Sequence, residues 1–239
     1  MAVKRLWLVR HGESEGNVAA TAADRAGAEV IDLAARDADV ELSTVGREQA
    51  QALRSWWESS GRSVGECWVS PYRRARQTLE LAVGEDAVPV IVDERLRDRE
   101  LGILDLLTSR GVEARHPDEA ARRRHLGKYF YRPPGGESWA DVALRLRSLL
   151  GEHLDRPAEE VLVVAHDAVI MLILSVLLPL DEEALLDFAA TRTVRNASVT
   201  ELVRTAEGWS LTAFSSVEHL AREGADITVH AGEDDAHPA

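Results

Sequence analysis

The chain has 239 residues, of which 45% are hydrophobic and 29% are charged, and these proportions are typical of a globular protein with a sizeable core. Its net charge of −13 argues against a surface for nucleic acids or anionic membranes, because like charges repel phosphate groups. An anionic substrate would therefore need a local cluster of arginines. The single cysteine, Cys67, allows no intramolecular disulfide and favours a cytoplasmic setting, as does an N-terminus without the apolar core of a signal peptide.

The first part of the chain alternates between short apolar runs and helical patterns. Residues 6–9 predict a strand, and the acidic, alanine-rich segment 14–41 predicts the start of a helix followed by a long surface excursion. Ser43 is suited to cap a helix that Gly61 would end. Residues 67–69 predict a second strand.

The middle of the chain begins with Ser70 and Pro71, which suit the N-cap and the first position of a helix over 72–83. Residues 88–92 predict a third strand. The segment 95–135 is rich in arginine and mixed in pattern. We expect it to be a lid-like insertion that contains one short helix.

The last part of the chain opens with a capping-box pattern at Ser138, which predicts a long helix to about Leu154. Residues 161–165 predict the fourth strand, and the polarity pattern within 198–214 predicts a β-hairpin. Residues 221–239 are acidic and lack aromatic side chains, so we expect a disordered tail there.

Residues 161–180 are almost wholly apolar and have to be distinguished from a membrane span. His166 and Asp167 interrupt the run near its start, and an ionised aspartate is costly in hydrocarbon. A buried parallel strand followed by a buried helix explains the same pattern. We therefore expect no contact with a membrane.

Strands that alternate with helices predict an α/β fold with a mostly parallel central sheet and helices on both faces, in a single domain over residues 1–220. Ligands of such sheets bind at the carboxyl ends of the strands. Arg10 and His11 follow the first predicted strand, Arg74 lies just beyond the second, and His166 follows the fourth. We therefore expect the functional site at this edge of the sheet.

The residues at this edge suit chemistry on a phosphate group. His11 lies between a strand and a helix, where the helix N-terminus and the amides after it favour an anion. Arg10 adds a rigid fork that fits phosphate oxygens. A neutral imidazole is nucleophilic enough to accept a phosphoryl group. Together with Arg74 and His166, these side chains could neutralise the charge of the transition state without a metal ion.

Five motifs resemble, in order, those of the histidine phosphatase superfamily, the phosphoglycerate mutase-like family: Arg10-His11-Gly12, Leu42–Ala50, Ser70–Thr78, Leu96–Gly102 and Val164–His166. Each motif is weak by itself, but the ordered set over roughly residues 5–170 is specific. The resemblance implies the phosphoglycerate mutase-like three-layer sandwich. It also implies a metal-independent enzyme that forms phosphohistidine and needs no cofactor.

The resemblance further implies roles for individual residues. His11 would be phosphorylated, and Asn17 would assist. Arg10, Arg74 and His166 would hold the phosphoryl oxygens. The substrate-binding set that it suggests is completed by Gly12, Ser14, Arg99, Glu100 and Asp167.

The general acid is open between two residues. The family's acid is a glutamate four residues before a glycine, and in this chain Asp98 holds that position, while Glu100 lies close by but out of register. Asp167 follows the late histidine, where the acid phosphatase branch of the superfamily uses an aspartate as proton donor. We favour Asp98, because the remaining motifs resemble the other branch. The acid would protonate the leaving alkoxide and then activate water or an incoming hydroxyl.

The favoured function is a phosphatase that acts on a small phosphomonoester, and the alternative is a cofactor-dependent phosphoglycerate mutase-type phosphotransferase. The chain between Asn17 and Leu42 lacks the tryptophan-rich stretch typical of glycolytic phosphoglycerate mutases. A non-catalytic phosphoprotein-binding member of the same fold would lack the nucleophile or the arginines, which this chain keeps. A homodimer is compatible with the sequence, although no pattern indicates one.

Two other classes of hydrolase are disfavoured. Ser14 lies in a G-x-S-x-G pattern like that of serine hydrolases, but only about a dozen residues precede it, too few for the strands and oxyanion loop that such an enzyme places before its serine. A metallophosphatase needs clustered Asp and His ligands, and no suitable spacing is present.

Overall fold

The computed structural model describes residues 2–84, 88–178 and 180–230, which contain six strands and nine α-helices. The strands are β1 (Arg5–Arg10), β2 (Glu66–Val69), β3 (Val90–Val92), β4 (Glu160–Ala165), β5 (Val199–Thr205) and β6 (Gly208–Ser216). The helices are α1 (Glu15–Ala26), α2 (Thr44–Ser59), α3 (Arg73–Val83), α4 (Ser109–Arg115), α5 (Pro117–Phe130), α6 (Trp139–His153), α7 (Asp167–Leu177), α8 (Glu182–Thr191) and α9 (Glu218–Glu223).

The strands form one sheet in the order β3-β2-β4-β1-β5-β6. β4 pairs in parallel with both β1 and β2, and β2 pairs in parallel with β3. The last two strands form an antiparallel hairpin that adds to β1. The predicted α/β fold with a mostly parallel sheet is therefore confirmed, and so is the hairpin near the end of the domain.

The alternation of side chains along β1 produces the three layers, because successive residues of a strand point to opposite faces. Leu6 and Leu8 belong to a core that the sheet shares with α6 and α7. Trp7 and Val9 belong to a second core, shared with α2 and α3. Both faces of the central strands are therefore covered by helices.

The apolar run that starts at Val161 divides at His166 into β4 and α7, as predicted. Every residue of α7 from Ala168 to Leu174 is buried. Within the described part of the chain, no helix is long and apolar enough to cross a membrane.

The start of α3 differs from the prediction. Its N-cap is Tyr72, and the helix begins at Arg73 rather than directly after Ser70. The hydroxyl of Ser70 instead lies 2.8 Å from Nε2 of His166. This hydroxyl therefore contacts the N-cap residue of the distant helix α7, while it also accepts from the amide of Tyr72 at 3.3 Å.

Two helical segments also differ from the prediction. The insertion over 95–135 holds two helices, α4 and α5, and Gly127 interrupts α5 with a positive φ of 77°. α8 was not predicted at all, because it buries only Leu185 and Ala189 and its apolar pattern is correspondingly weak.

The chain after residue 220 is ordered over the part that the structure describes, in contrast to the predicted disordered tail. α9 ends at Gly224, whose φ of 71° turns the chain, and residues 225–230 then run back towards the carboxyl ends of the strands. The prediction relied on composition, whereas the amide of Gln49 donates hydrogen bonds to this segment. Residues 231–239 of the predicted tail lie outside the described residues.

The strand register brings the two predicted histidines together. Arg10 on β1 is paired with Ala165 on β4, so the next residues along these parallel strands, His11 and His166, lie side by side at the same edge. The amide of His11 donates to the carbonyl of Ala165 at 3.0 Å.

Candidate active site

The imidazole of His11 is held in one tautomer. Its Nδ1 lies 2.7 Å from the carbonyl oxygen of Gly12, and because a carbonyl only accepts, Nδ1 carries the proton. Nε2 accepts a hydrogen bond from Nε of Arg74 at 3.3 Å. The lone pair of Nε2 therefore points at the arginine that would bind a phosphate.

His11 is uncharged in this environment. Burial, together with the positive charges of Arg74, His166 and Arg10, lowers its pKa well below the ordinary value of 6.5. The side chain has an exposed fraction of only a few per cent. A neutral, desolvated imidazole with a free lone pair is the form of histidine that acts as a nucleophile.

The backbone after β1 is fixed by contacts from three separate regions. The amide of Gly12 donates to the hydroxyl of Thr78, on α3, at 3.0 Å. The carbonyl of His11 accepts from the side-chain amide of Asn196 at 3.2 Å. Gly46, in the first turn of α2, packs so closely that a Cβ there would lie 1.9 Å from the carbonyl oxygen of Glu13.

Arg74 lies in the first turn of α3 and is buried. Its Nη1 donates to the carbonyl and the carboxylate of Asp37, at 2.6 and 2.8 Å, and its Nη2 donates to the carboxylate of Asp98 at 2.9 Å. The guanidinium is therefore held in one orientation, with Nε directed at His11.

His166 is the N-cap residue of α7 and is also buried. Its ring centroid lies 5.2 Å from that of His11, and its Nδ1 lies 3.0 Å from a carboxylate oxygen of Asp98 without good hydrogen-bond alignment. Burial lowers the pKa of His166 more than the carboxylate of Asp98 raises it.

Asp98 is ionised in this arrangement. Burial opposes its ionisation, but the neighbouring His166 and Arg74 outweigh that effect and hold its pKa well below the ordinary 3.8. Asp98 therefore contacts two of the groups that the sequence assigns to the phosphoryl oxygens.

Arg10 is buried, and both Val194 and His230 accept from its Nη1 through their backbone carbonyls, at 2.6 and 3.3 Å. Asp167 lies 3.8 Å from the same Nη1. The Nε of Arg10 is buried without a hydrogen-bond partner. A buried guanidinium N–H normally has a partner, so this atom is suited to an anionic ligand.

These side chains meet at a cavity of about 320 Å³, which lies in the size range of small-molecule sites. Its charged lining includes five aspartates and four arginines, and His11 lines it too. Aliphatic side chains form much of the remaining wall. The lining includes Arg10, His11, Ser14, Asn17, Thr21, Asp24, Arg25, Ile31, Leu33, Asp37, Val40, Arg74, Asp98, Arg99, Leu101, Asp105, Leu106, Asp167, Val229 and His230.

Eight of the eleven residues predicted for the site line the cavity. His166 does not line it, although it lies beside the ring of His11 and 3.0 Å from Asp98, and there are two further exceptions. Glu100 does not line the cavity, and its carboxylate accepts from the hydroxyl of Tyr72 at 2.9 Å. Gly12 contributes no amide to the cavity, because its N–H is bonded to Thr78. Side-chain direction explains the exception at Glu100, and a helix contact explains that at Gly12.

Ser14 and Asn17 line the cavity but first stabilise α1. The two side chains form a reciprocal capping box at the start of that helix. Arg99, which is buried, donates through Nε to the carbonyl of Glu137 at 2.7 Å. The geometry gives Ser14 the place of a helix cap, which does not match the activated serine of a hydrolase.

Several residues that form or support the site were not predicted as site residues from the sequence. Thr78 lies inside the motif that carries Arg74 and could have been found there. Asp37 and Asn196 carry no local signal, because they reach the site only through the fold. His230 lies in the segment predicted to be disordered.

The described residues contain no cluster of side chains suited to bind a metal ion. No group of three or more His, Cys, Asp or Glu side chains there is arranged to hold a metal ion. What the arrangement offers is a neutral histidine nucleophile, two buried arginines and a carboxylate at one cavity. Such a set can stabilise the charge of a phosphoryl group during its transfer.

The chain matches known proteins over most of its length. The sequence model of the histidine phosphatase superfamily (branch 1) matches residues 6–216. The 6-phosphofructo-2-kinase/fructose-2,6-bisphosphatase of Gallus gallus is 34% identical over 182 residues, which are 76% of this chain and 34% of that protein. The chain therefore spans about a third of these longer relatives. The probable phosphoglycerate mutase GpmB of Yersinia enterocolitica is 28% identical over 224 residues, covering 90% of this chain and 94% of that protein.

Solved structures share the fold. The alpha-ribazole phosphatase of Shigella flexneri has a TM-score of 0.72 at 22% identity, with 89% of this chain and 96% of that chain covered. The native mycobacterial glucosyl-3-phosphoglycerate phosphatase has a TM-score of 0.68 at 30% identity, with 89% and 99% covered.

Proposed function

This chain belongs to the histidine phosphatase superfamily, and from that premise we propose that it is a metal-independent phosphatase that hydrolyses a small phosphomonoester through a phosphohistidine at His11. One observation carries the proposal: Nε2 of His11 accepts a hydrogen bond, at 3.3 Å, from Nε of a buried arginine, Arg74, and both residues line the cavity. The arginine that would bind the phosphoryl oxygens therefore lies next to the nucleophilic nitrogen.

In the first step, His11 Nε2 attacks phosphorus and the bond from phosphorus to the ester oxygen breaks. Arg10 and Arg74 hold the phosphoryl oxygens and neutralise their charge as the bond to the leaving oxygen lengthens. Nδ1 keeps its proton and donates it in a hydrogen bond to the carbonyl of Gly12, which stabilises the positive ring as the new P–N bond forms. The leaving oxygen takes a proton and departs as an alcohol.

Asp98 is the group that we assign to this proton transfer. Its carboxylate is ionised while it contacts Arg74 and His166. A phosphomonoester has a second pKa near 6. Near neutral pH, a fraction of the substrate molecules are therefore monoanions, and each of these brings a proton into the site. When phosphoryl oxygens take over the guanidinium of Arg74, the pKa of Asp98 rises and the carboxyl can accept that proton and pass it to the leaving oxygen.

In the second step, water attacks the phosphohistidine. Asp98, now a carboxylate, takes a proton from the water as its oxygen bonds to phosphorus. The P–N bond breaks, its electron pair returns to Nε2 of His11, and inorganic phosphate leaves. As phosphate departs, Asp98 regains its contacts with Arg74 and His166 and releases its proton to solvent, which restores the starting state.

A phosphoglycerate mutase-type phosphotransferase is the second candidate, because the similarity to the probable phosphoglycerate mutase GpmB extends over 90% of this chain. In that case a hydroxyl of a second substrate would replace water in the second step. We favour the phosphatase, because the chain between Asn17 and Leu42 lacks the tryptophan-rich stretch typical of glycolytic phosphoglycerate mutases.

The test is release of inorganic phosphate from a panel of phosphomonoesters in the presence of EDTA. We expect wild type to be active and His11→Ala to lose about 10⁴-fold or more, as removal of a catalytic nucleophile does. His125→Ala is the matched control, since His125 is exposed on α5 and does not line the cavity. Quenching during turnover with alkali and denaturant should trap a phosphohistidine, which is stable in alkali and labile in acid, in wild type alone.

Each other outcome has a definite meaning. Transfer of phosphate between two hydroxyl substrates, without release, would assign the mutase reaction. A His11→Ala variant as active as wild type would show that His11 is not the nucleophile. Activity that disappears in EDTA and returns with a divalent cation would contradict the metal-independent mechanism.

A further inference from the structure

The chain that follows α9 returns to the site and lines it. Gly224 turns the chain, and Val229 and His230 form part of the cavity wall. Residues 225–230, which we call the C-terminal strap, contain only one other large apolar side chain, the exposed Ile227. Polar contacts must therefore hold the strap in place.

Gln49 provides the first of these contacts. Its side chain is fully buried, and its Nε2 donates to the carbonyl of Asp226 and the hydroxyl of Thr228, at 2.8 and 2.9 Å. Its Oε1 accepts from the amide of Glu13 at 2.8 Å. One buried amide group thus joins the strap to the loop that carries the nucleophile.

Asn196 provides a second connection of the same kind. Its Oδ1 accepts from the hydroxyl of Thr228 at 3.3 Å. Its Nδ2 donates to the carbonyl of His11 at 3.2 Å and to the side chain of Asn17 at 3.1 Å. The position of the strap is therefore linked to the backbone of the nucleophile itself.

His230 makes the contacts nearest the phosphate site. Its Nε2 donates to a carboxylate oxygen of Glu13 at 2.6 Å, and its Nδ1 lies 2.6 Å from the hydroxyl of Thr21 on α1. Its backbone carbonyl accepts from Nη1 of Arg10 at 3.3 Å. Glu13 in turn accepts from the hydroxyl of Ser43, which caps α2.

We propose that His230 is a positioning residue of the phosphate site, which orients Arg10 and the loop after β1 for binding of the phosphoryl group. The inference rests on the proposed function, because it assumes that Arg10 binds phosphoryl oxygens. Two carbonyls hold Nη1 of Arg10, one of them from His230, and its Nε is left without a protein partner. The side chain of His230 fixes that carbonyl by anchoring the strap to Glu13 and Thr21.

This role predicts a particular kinetic effect. Removing the imidazole frees the strap end and lets Arg10 move, so binding of the phosphoryl group weakens. The nucleophile keeps its contacts with Gly12 and Arg74. We therefore expect His230→Ala to raise KM about tenfold, as loss of one well-placed charged hydrogen bond does, and to change kcat by less than about threefold.

The experiment measures binding of orthovanadate by isothermal titration calorimetry, together with KM and kcat for the best phosphomonoester. The variants are His230→Ala, His230→Gln and Ile227→Ala. Glutamine keeps one donor and one acceptor, so we expect its vanadate affinity to be within about threefold of wild type. Ile227 lies in the same strap and does not line the cavity, so its variant should bind as wild type does.

A double variant separates positioning from simple packing. If His230 acts through Glu13, Glu13→Gln combined with His230→Ala should weaken vanadate binding by less than the product of the two single effects. Independent effects that multiply would overturn this route. Thermal unfolding of each variant should show the same midpoint for His230→Ala and Ile227→Ala to within a few degrees.

Two failures remain distinct. If wild type binds vanadate and His230→Ala binds it equally well, the positioning role is wrong while the proposed function stands. If wild type itself fails to bind vanadate, the phosphate site is wrong, and with it both the proposed function and the role of His230.

Discussion

The carboxylate of Asp98 lies 2.9 Å from Nη2 of Arg74. The same oxygen is 3.0 Å from Nδ1 of His166, so a carboxylate contacts two of the groups that we propose to bind phosphoryl oxygens. Under that proposal, binding of a phosphate ester redistributes these contacts. The proton affinity of Asp98 changes in the process, and this is what would allow one residue to act first as an acid and then as a base.

Asp98→Asn tests this relationship. We expect turnover of an alkyl phosphomonoester to fall about 10²- to 10⁴-fold, the usual effect of losing a general acid and base. p-Nitrophenyl phosphate should be affected less, since its leaving group needs no proton. Vanadate affinity should be kept or increased, because a negative charge has been removed beside an anion. The measurements are kcat/KM for both esters and calorimetric binding.

Two nearby carboxylates serve as comparisons for that variant. Glu100→Gln should retain wild-type turnover to within about threefold, because Glu100 does not line the cavity. Asp167→Asn should lose less than about tenfold if Asp98 is the acid. If Asp167→Asn is inactive and Asp98→Asn is active, the general acid is Asp167 rather than Asp98.

The stability of the protein should depend on pH through His219. This side chain is buried against Trp56, and burial lowers its pKa to about 4. Between pH 6.5 and 4 the unfolded chain binds a proton that the folded protein does not bind, so folded stability is lost as pH falls. The shift corresponds to about 3 kcal/mol over that interval.

His219→Asn should remove the contribution of His219 and leave those of His11 and His166, whose pKa values are also lowered by burial. The asparagine amide can retain the hydrogen bond to the backbone of Ala197 but does not titrate. Urea denaturation at pH 7 and at pH 4.5 gives the free energy of unfolding of both proteins. A variant whose free energy of unfolding falls between these pH values as steeply as that of wild type would contradict the assignment.

Gly46→Ala should be strongly destabilising. A Cβ at this position would lie 1.9 Å from the carbonyl oxygen of Glu13, and backbone on both sides leaves no room for adjustment. We expect a loss of about 3 kcal/mol or more in the free energy of unfolding, with a displaced nucleophile loop and little remaining activity.

The matched control is Gly151→Ala, in α6. A Cβ there meets no atom within 4 Å, and alanine is the better helix former, so stability should rise by about 0.5–1 kcal/mol. Thermal and chemical denaturation measure both changes. Equal changes in the free energy of unfolding for the two substitutions would mean that Gly46 is not in close contact with the backbone of Glu13.

Much of the fold and part of the site could be predicted because local patterns determine them. The apolar runs before His11 and His166 identify buried parallel strands, and parallel strands end at the same edge of a sheet. The capping box at Ser138 marked the start of α6 correctly, since it depends on neighbouring residues alone. These features require no knowledge of distant contacts.

Other features could not be predicted because distant segments produce them. Ser70 was expected to cap α3, but the N-cap is Tyr72, and the hydroxyl of Ser70 lies 2.8 Å from Nε2 of the distant His166. Asp37 fixes the guanidinium of Arg74 from a segment without a clear pattern. The order of residues 225–230 arises from Gln49 and Asn196, which composition does not reveal.

The loop after β1 is held by residues that lie far along the chain, and this separation in sequence determines when the site can form. The carbonyl of His11 is bonded to a residue 185 positions later, and Glu13 to one 217 positions later. During synthesis on a ribosome, the strands β1 to β4 emerge well before these partners do. The nascent chain can therefore pair its central strands early, but its nucleophile loop reaches its final geometry last, because closing such long loops costs the most entropy.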